Sequence, residues 1–276
     1  MADLLIHSMH EFADIIVPAL QAADVREIVE IGAEFGGMSQ VLGDYAEAQG
    51  GRLTSIDPAP KPEFIEWAAR NPQIRHVPAL SIGSIPDQQD VDAWVIDGDH
   101  NWYTVYHELK AIQDCCRRDG KPLLCFMHDV AWPWARRDLY YAPDQIPEEF
   151  RHPHDWEGGV VPGFAGLLPG RGFRGCGQFA AAIEEGGPRN GVLTAIEDFL
   201  AEALEQNEEY AFAEVPAVFG LGVIFAMNAP WSEAVAEIVL PYHDNALLRR
   251  LEENRLANYL KVIDLQDHLA AERKAA

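Results

Sequence analysis

Apolar residues fall along this chain in short blocks whose spacing alternates between the helical and the extended period. Residues 12–23 carry apolar side chains at helical spacing, and 27–31 form a brief apolar run. Residues 38–49, 62–70, 102–116 and 191–206 read as further helices. Val105, Leu109, Ile112 and Cys116 mark the buried stripe of the 102–116 helix. Between them, 53–56, 74–79, 93–96 and 123–127 read as strands. The last of these, Leu123-Leu124-Cys125-Phe126-Met127, is wholly apolar, as a strand covered on both faces should be. Residues 210–215 and 220–226 read as a hairpin-like pair. Strands alternating with helices predict an α/β fold.

Two segments fall outside this alternation. Residues 131–178 combine Trp132, Trp134, Tyr140, Tyr141, His152, His154 and Trp156 with many Gly and Pro and little periodicity. A long irregular insertion in a compact domain is usually a binding loop, and this one follows the fifth strand, so it is expected to cap the carboxyl edge of the sheet. Residues 231–273 are helical in character, with Leu247, Leu251, Leu260, Ile263 and Leu265 near helical spacing. They are expected to pack on the core or to pair with a second copy of the chain. The organisation expected is thus a domain over 1–230 with a cap inserted at about 131–178, and a helical extension over 231–276.

The chain has 276 residues, 48% of them hydrophobic, enough for a substantial core. A formal net charge of −23 argues against a nucleic-acid backbone as partner, though it selects no substrate. Cys115, Cys116, Cys125 and Cys176 have no zinc-type spacing and are expected as free thiols of a reducing cytoplasm. The first residues lack the basic start of a signal peptide, and no apolar run reaches membrane-spanning length. A cytoplasmic protein with no membrane partner is therefore expected.

The chemistry starts at Glu30-Ile31-Gly32-Ala33-Glu34-Phe35-Gly36-Gly37, a strand end, a glycine-bearing turn and a helix start. In a doubly wound sheet this is where a nucleoside-containing cofactor binds. Asp57, at the end of the second strand, stands where a carboxylate accepts hydrogen bonds from ribose hydroxyls. The loop departs from the three-glycine dinucleotide fingerprint, and Glu30 just before Gly32 would repel a pyrophosphate. It would suit a ligand carrying an ammonium and a sulfonium. On these residues the chain resembles the class I S-adenosylmethionine-dependent methyltransferases. That resemblance implies a Rossmann-like methyltransferase fold, a seven-stranded mostly parallel sheet with helices on both faces, plus the cap and C-terminal helices. It implies S-adenosylmethionine on Glu30, Gly32, Phe35, Gly36, Gly37, Asp57 and Asp97, with Leu80 and Ser81 against the adenine.

Two further clusters end the fourth and fifth strands: Asp97-Gly98-Asp99-His100 and His128-Asp129. Parallel neighbours bring both to one edge, where three carboxylates and two histidines need a cation or protons to settle their charge. Oxygen-rich donors of this kind suit Mg²⁺. The pair resembles the macrolide-sugar O-methyltransferases and the cephalosporin hydroxylase-like branch of the family. There the residues matching Asp97, His128 and Asp129 hold Mg²⁺, and the one matching His100 is the general base. His128 departs from that pattern, which has an acidic residue, and imidazole binds Mg²⁺ poorly. The resemblance implies methyl transfer to a hydroxyl of a small acceptor, a sugar or natural product, with His100, Asp97 and Asp129 as the catalytic set. A nicotinamide enzyme with a variant loop, a metal-dependent hydrolase on the same scaffold, and a catalytically silent cofactor-binding protein are the competing classes.

Overall fold

The computed structural model describes residues 8–275. Helix α1 (Ala13–Ala22) leads into strand β1 (Glu27–Ile31), followed by α2 (Gly37–Gln49), β2 (Arg52–Ile56), α3 (Pro62–Ala68), β3 (Ile74–Val77) and the short α4 (Ser81–Ser84). Next come β4 (Ala93–Ile96), α5 (Trp102–Asp119) and β5 (Leu124–His128). An insertion holds β6 (Leu139–Tyr140), β7 (His154–Asp155), β8 (Gly158–Gly159), β9 (Leu168–Pro169) and β10 (Ala180–Ala182). The chain ends with α6 (Val192–Glu205), β11 (Tyr210–Val215), β12 (Leu221–Ala226), α7 (Ser232–Val239) and α8 (Ala246–Ala275).

Among the described residues the main sheet has seven strands in the order β11-β12-β5-β4-β1-β2-β3. Strands β1 to β5 are parallel, β12 is antiparallel to β5, and β11 is antiparallel to β12. The α/β class is as the sequence pattern predicts, and the seven-stranded mostly parallel sheet is as the resemblance implies. The order reverses between β1 and β4, which opens a crevice at their carboxyl ends.

Alternation along each strand divides the core between two faces. Ile28, Leu53, Val95, Phe126 and Val223 pack with Ile16, Leu20 and Leu42 of α1 and α2 and with Val235 and Val239 of α7. Val29, Ile31, Trp94, Ile96, Met127 and Ile224 pack on the other face with Leu109, Ile112, Ile196 and Phe199 of α5 and α6. Trp134 and Val160 of the insertion and Leu256 of α8 join that second cluster. The cap and the C-terminal helices therefore share the core of the sheet.

Departures from the predicted boundaries have local causes. β3 stops at Val77 because Pro78 has no N–H for the ladder. α5 runs on to Asp119, where Gly120 takes the left-handed conformation at φ 65°. The fifth strand is shifted by one residue, since His128 pairs with Leu221. The expected helical segment 231–273 is two helices. Asn245 starts the second, its side chain accepting from the N–H groups of Leu247 and Leu248. The cap is less irregular than expected and runs to about residue 190, with a small sheet β6-β10-β7 and a β8–β9 hairpin. Among the described residues no helix is long and apolar enough to cross a membrane.

Candidate active site

The floor of the crevice is a backbone contact between β1 and β4. Gly32 has φ 88°, and a Cβ there would lie 2.2 Å from the Asp97 carbonyl oxygen. Only glycine allows this approach, and it lets Asp97 N–H continue the ladder to the Ile31 carbonyl at 2.8 Å. Gly32 therefore serves the seam on which both the loop and Asp97 are built.

The glycine loop is tied down by Asp57. Its Oδ2 accepts from the N–H groups of Ala33 (2.8 Å) and Glu34 (3.1 Å), and its Oδ1 from Ala59 (2.8 Å). A carboxylate has about four acceptor positions, so these three bonds leave roughly one. Glu30, expected beside the ligand, is instead buried one layer below the loop. Ser39 of α2 and Ser55 of β2 both donate to its Oε2 at 2.6 Å. Burial dominates there and pushes its carboxyl up to about 7 against those two hydrogen bonds. Glu34 is the exposed carboxylate of the loop, held at φ 46°. The sequence pattern did not single it out, although a Glu inside a glycine turn is unusual enough to have drawn attention. Phe35 is exposed, with the Lys61 ammonium 5.7 Å from its ring. Gly36 and Gly37 open α2.

Leu80 is exposed on the far rim, whereas the Ser81 hydroxyl donates to Glu108 of α5. Glu108 is buried, and burial raises its carboxyl to about 8 despite that hydrogen bond. Ser81 is thus committed to the protein.

At the ends of β4 and β5 the two predicted clusters converge. His100 Nε2 is 2.8 Å from Asp129 Oδ2, and His128 Nδ1 is 3.1 Å from Asp97 Oδ1 and 3.5 Å from Asp129 Oδ2. Asp129 adopts φ 62°, the left-handed conformation that Asp tolerates better than most residues. Donor atoms of Asp97, His100 and Asp129 lie within 4.8 Å of one another, a set able to hold a metal ion. His128, expected as a ligand, has each nitrogen facing an acceptor: Asp97 on Nδ1 and the Val218 carbonyl at 2.9 Å on Nε2. With both nitrogens facing acceptors it offers no lone pair to a cation, whereas His100 would join the donor set on giving up a proton. Two carboxylates and one imidazole fit a divalent ion, with the nitrogen favouring a transition metal over Mg²⁺.

Charge explains the histidines. Burial lowers the pKa of His100, but Asp129, by charge and hydrogen bond, and Asp97 outweigh it, and the imidazole is pushed up to about 10. Burial likewise lowers His128, and Asp97 and Asp129 raise it to about 9. At neutral pH two imidazolium groups therefore balance two carboxylates. Asp99 is engaged locally: His100 N–H, Asn101 and Thr104 all donate to it, and Asn101 caps α5 by accepting from Thr104 N–H at 2.8 Å.

The cap is bonded directly to this loop, which no sequence signal revealed. Leu139 N–H of β6 donates to the His100 carbonyl at 3.0 Å. Asp138 is wholly buried and accepts from Trp102 N–H and Gly191 N–H at 2.7 Å each, and from the Tyr140 hydroxyl at 2.7 Å. Tyr141 follows with its ring centroid 6.1 Å from that of His100 and half of its surface exposed. An aromatic ring therefore stands beside His100.

No family model matches the chain, and no curated protein sequence does. Among solved structures it is similar to the O-methyltransferase from Bacillus cereus in complex with S-adenosylhomocysteine. The identity is 14% and the TM-score 0.48, over 82% of this chain and 85% of that one. It is also similar to an O-methyltransferase from Streptomyces achromogenes involved in tomaymycin synthesis, solved with S-adenosylmethionine. There the identity is 12% and the TM-score 0.47, over 82% and 83% of the two chains. A methyltransferase from Podospora anserina with S-adenosylhomocysteine bound gives 15% identity and a TM-score of 0.42 over 75% of each chain. Likeness at this level leaves the chemistry to be read from the site's own residues.

Proposed function

We propose that this protein is an S-adenosylmethionine-dependent O-methyltransferase acting on a hydroxyl of a small molecule, a sugar or natural product. The observation that carries this reading is the meeting, at one sheet edge, of the Asp57-anchored glycine loop with the Asp97, His100 and Asp129 cluster. S-adenosylmethionine supplies a sulfonium methyl and leaves as S-adenosylhomocysteine. In the proposed chemistry His100 takes the acceptor's hydroxyl proton as the oxygen–methyl bond forms. Asp129 orients the imidazole and stabilises its cation, as the carboxylate of a Ser-His-Asp triad does. Asp97 and His128 keep a second, neutralised pair beside it, and Tyr141 offers a ring face to the acceptor. A divalent ion held by the Asp97 and Asp129 carboxylates, with His100 left free as the base, would supply positive charge that favours the ionised acceptor hydroxyl.

Isothermal titration with S-adenosylhomocysteine and with NAD tests this reading. S-adenosylhomocysteine is expected to bind and NAD not to bind. Asp57→Ala, which frees the loop and removes the ribose acceptor, should weaken binding at least tenfold, about 1.4 kcal/mol. Binding of NAD alone would exclude a methyltransferase. The three metal-capable donors also give the hydrolase class some support, and tight Mn²⁺ binding without any nucleoside binding would select it.

The pH dependence follows from His100. A base must be neutral, and this imidazole, raised from 6.5 to about 10, is protonated at pH 7. With metal removed by chelation, kcat/KM is expected to climb about tenfold per pH unit above 7 and level off as His100 loses its proton. A cation bound at the cluster, being positive, should shift that rise to lower pH. A profile flat from pH 6 to 9 in the chelated enzyme rules out His100 as the base.

A further inference from the structure

The turn between β11 and β12 lies against the active-site cluster in an unfavourable conformation. Val218, Phe219 and Gly220 have φ 47°, 63° and 92° in succession. A β-branched residue with positive φ is strained and persists only where its surroundings hold it. The holding groups are visible. Phe219 carbonyl accepts from Ala131 N–H at 2.7 Å, just beyond Asp129, and a Cβ on Gly220 would lie 2.7 Å from that same nitrogen. From α8, Glu252 Oε1 accepts Phe219 N–H at 3.2 Å. Arg255 grips both carboxylate oxygens of Glu252 at 2.6 Å, with its guanidinium 5.5 Å from the Phe219 ring. Glu252 is buried, yet these partners keep its carboxyl below the ordinary range, so it stays ionised.

Phe219 N–H and the Val218 carbonyl belong to one peptide unit, whose planarity points them in opposite directions. The N–H end rests on Glu252 and the carbonyl end accepts the His128 Nε2 proton at 2.9 Å. A flip of this plane would lose both bonds and turn an N–H toward a histidine that has no lone pair to receive it. We infer that Glu252 is a positioning residue for the active-site cluster. It fixes the Val218–Phe219 peptide plane, and through it the orientation of His128 against Asp97. The charge on Glu252 also polarises the peptide and makes the Val218 carbonyl a stronger acceptor. The importance of Asp97 to the reaction rests on the proposed methyl transfer, whereas the geometric claim does not.

The decisive measurement is the exchange rate of the His128 Nε2 proton, seen as a hydrogen-bonded resonance in water and assigned by its absence in His128→Asn. In Glu252→Ala this proton is expected to exchange at least about tenfold faster or to vanish, as an opened hydrogen bond should. Methyl transfer should fall roughly 10- to 100-fold in kcat while S-adenosylhomocysteine affinity changes less than about twofold. Glu252→Gln, which keeps an oxygen for Phe219 N–H, should restore the resonance and most of kcat. If Glu252→Ala does not fold, Glu252→Asp decides, since the shorter side chain withdraws the carboxylate from Phe219 and should speed exchange about fivefold. A folded variant with the His128 proton unchanged overturns the inference even in an active enzyme. Accelerated exchange supports it even if no acceptor is ever found.

Discussion

Replacing His100 with alanine is expected to lower methyl transfer by about 10²- to 10⁴-fold, the usual contribution of a positioned base. S-adenosylhomocysteine binding should change little. The specificity of that outcome follows from how His100 is used. Its carbonyl, which docks β6 through Leu139 N–H, is unaffected by the substitution. The loop and Asp57 lie on other strands. What the substitution removes is the imidazole and its bond to Asp129. Because a buried Asp129 would then lose a cationic partner, His100→Gln is the better companion variant, since it keeps a donor without basicity. Both variants should be inactive, and the chelated wild-type enzyme should show the alkaline rise that they lack. Unimpaired transfer in either variant would sink the base role.

The largest stability effect is expected at Asp138, outside the reacting cluster. Asp138→Ala leaves Trp102 N–H, Gly191 N–H and the Tyr140 hydroxyl without their shared acceptor in a dry interior. Each stranded donor costs about 1–3 kcal/mol, so a loss of about 3–5 kcal/mol is expected, with Tm lower by roughly 10 °C. Thermal unfolding followed by circular dichroism measures it. Asp138→Asn retains an oxygen for the two backbone donors and should lose about 1 kcal/mol. Its carboxyl already lies high, at about 6, because burial outweighs the bonds from Gly191, Tyr140 and Trp102. Asparagine is therefore a close stand-in for the protonated form. An alanine variant as stable as the parent would mean that the cap is secured by other contacts.

What the sequence reveals here depends on the range of the interaction. Strand runs such as Leu124–His128 and the stripe of α5 follow from periodicity, because burial on one or two faces is a local pattern. Asp97, His100 and Asp129 are legible for the same reason, since each lies one to four residues beyond a readable strand. The pattern fails where a side chain's partner comes from far along the chain. Nothing around His128 predicts that the Val218 carbonyl, 90 residues away, will occupy its second nitrogen. Glu30 reads as part of the glycine loop that follows it, whereas its own side chain is buried against Ser39 and Ser55. Asp138 is invisible for a different reason. It sits in a segment without periodicity and earns its place only through Trp102 and Gly191, from two other elements.

The hydrogen bond from Leu139 N–H to the His100 carbonyl also bears on how acceptor choice could change over time. On the proposed mechanism, the wall beside the acceptor and the base are joined by this backbone bond. Remodelling β6 would shift the base together with the wall, and a new acceptor reached that way would come with impaired catalysis. The β8–β9 hairpin carries no such tie to His100. Its Trp156 and Phe164 flank are exposed, whereas a Cβ on Gly159 would lie 1.6 Å from the Arg171 carbonyl oxygen. Laboratory evolution of acceptor range is therefore best aimed at exposed side chains such as Trp156 and Phe164, which can change while His100 keeps its place.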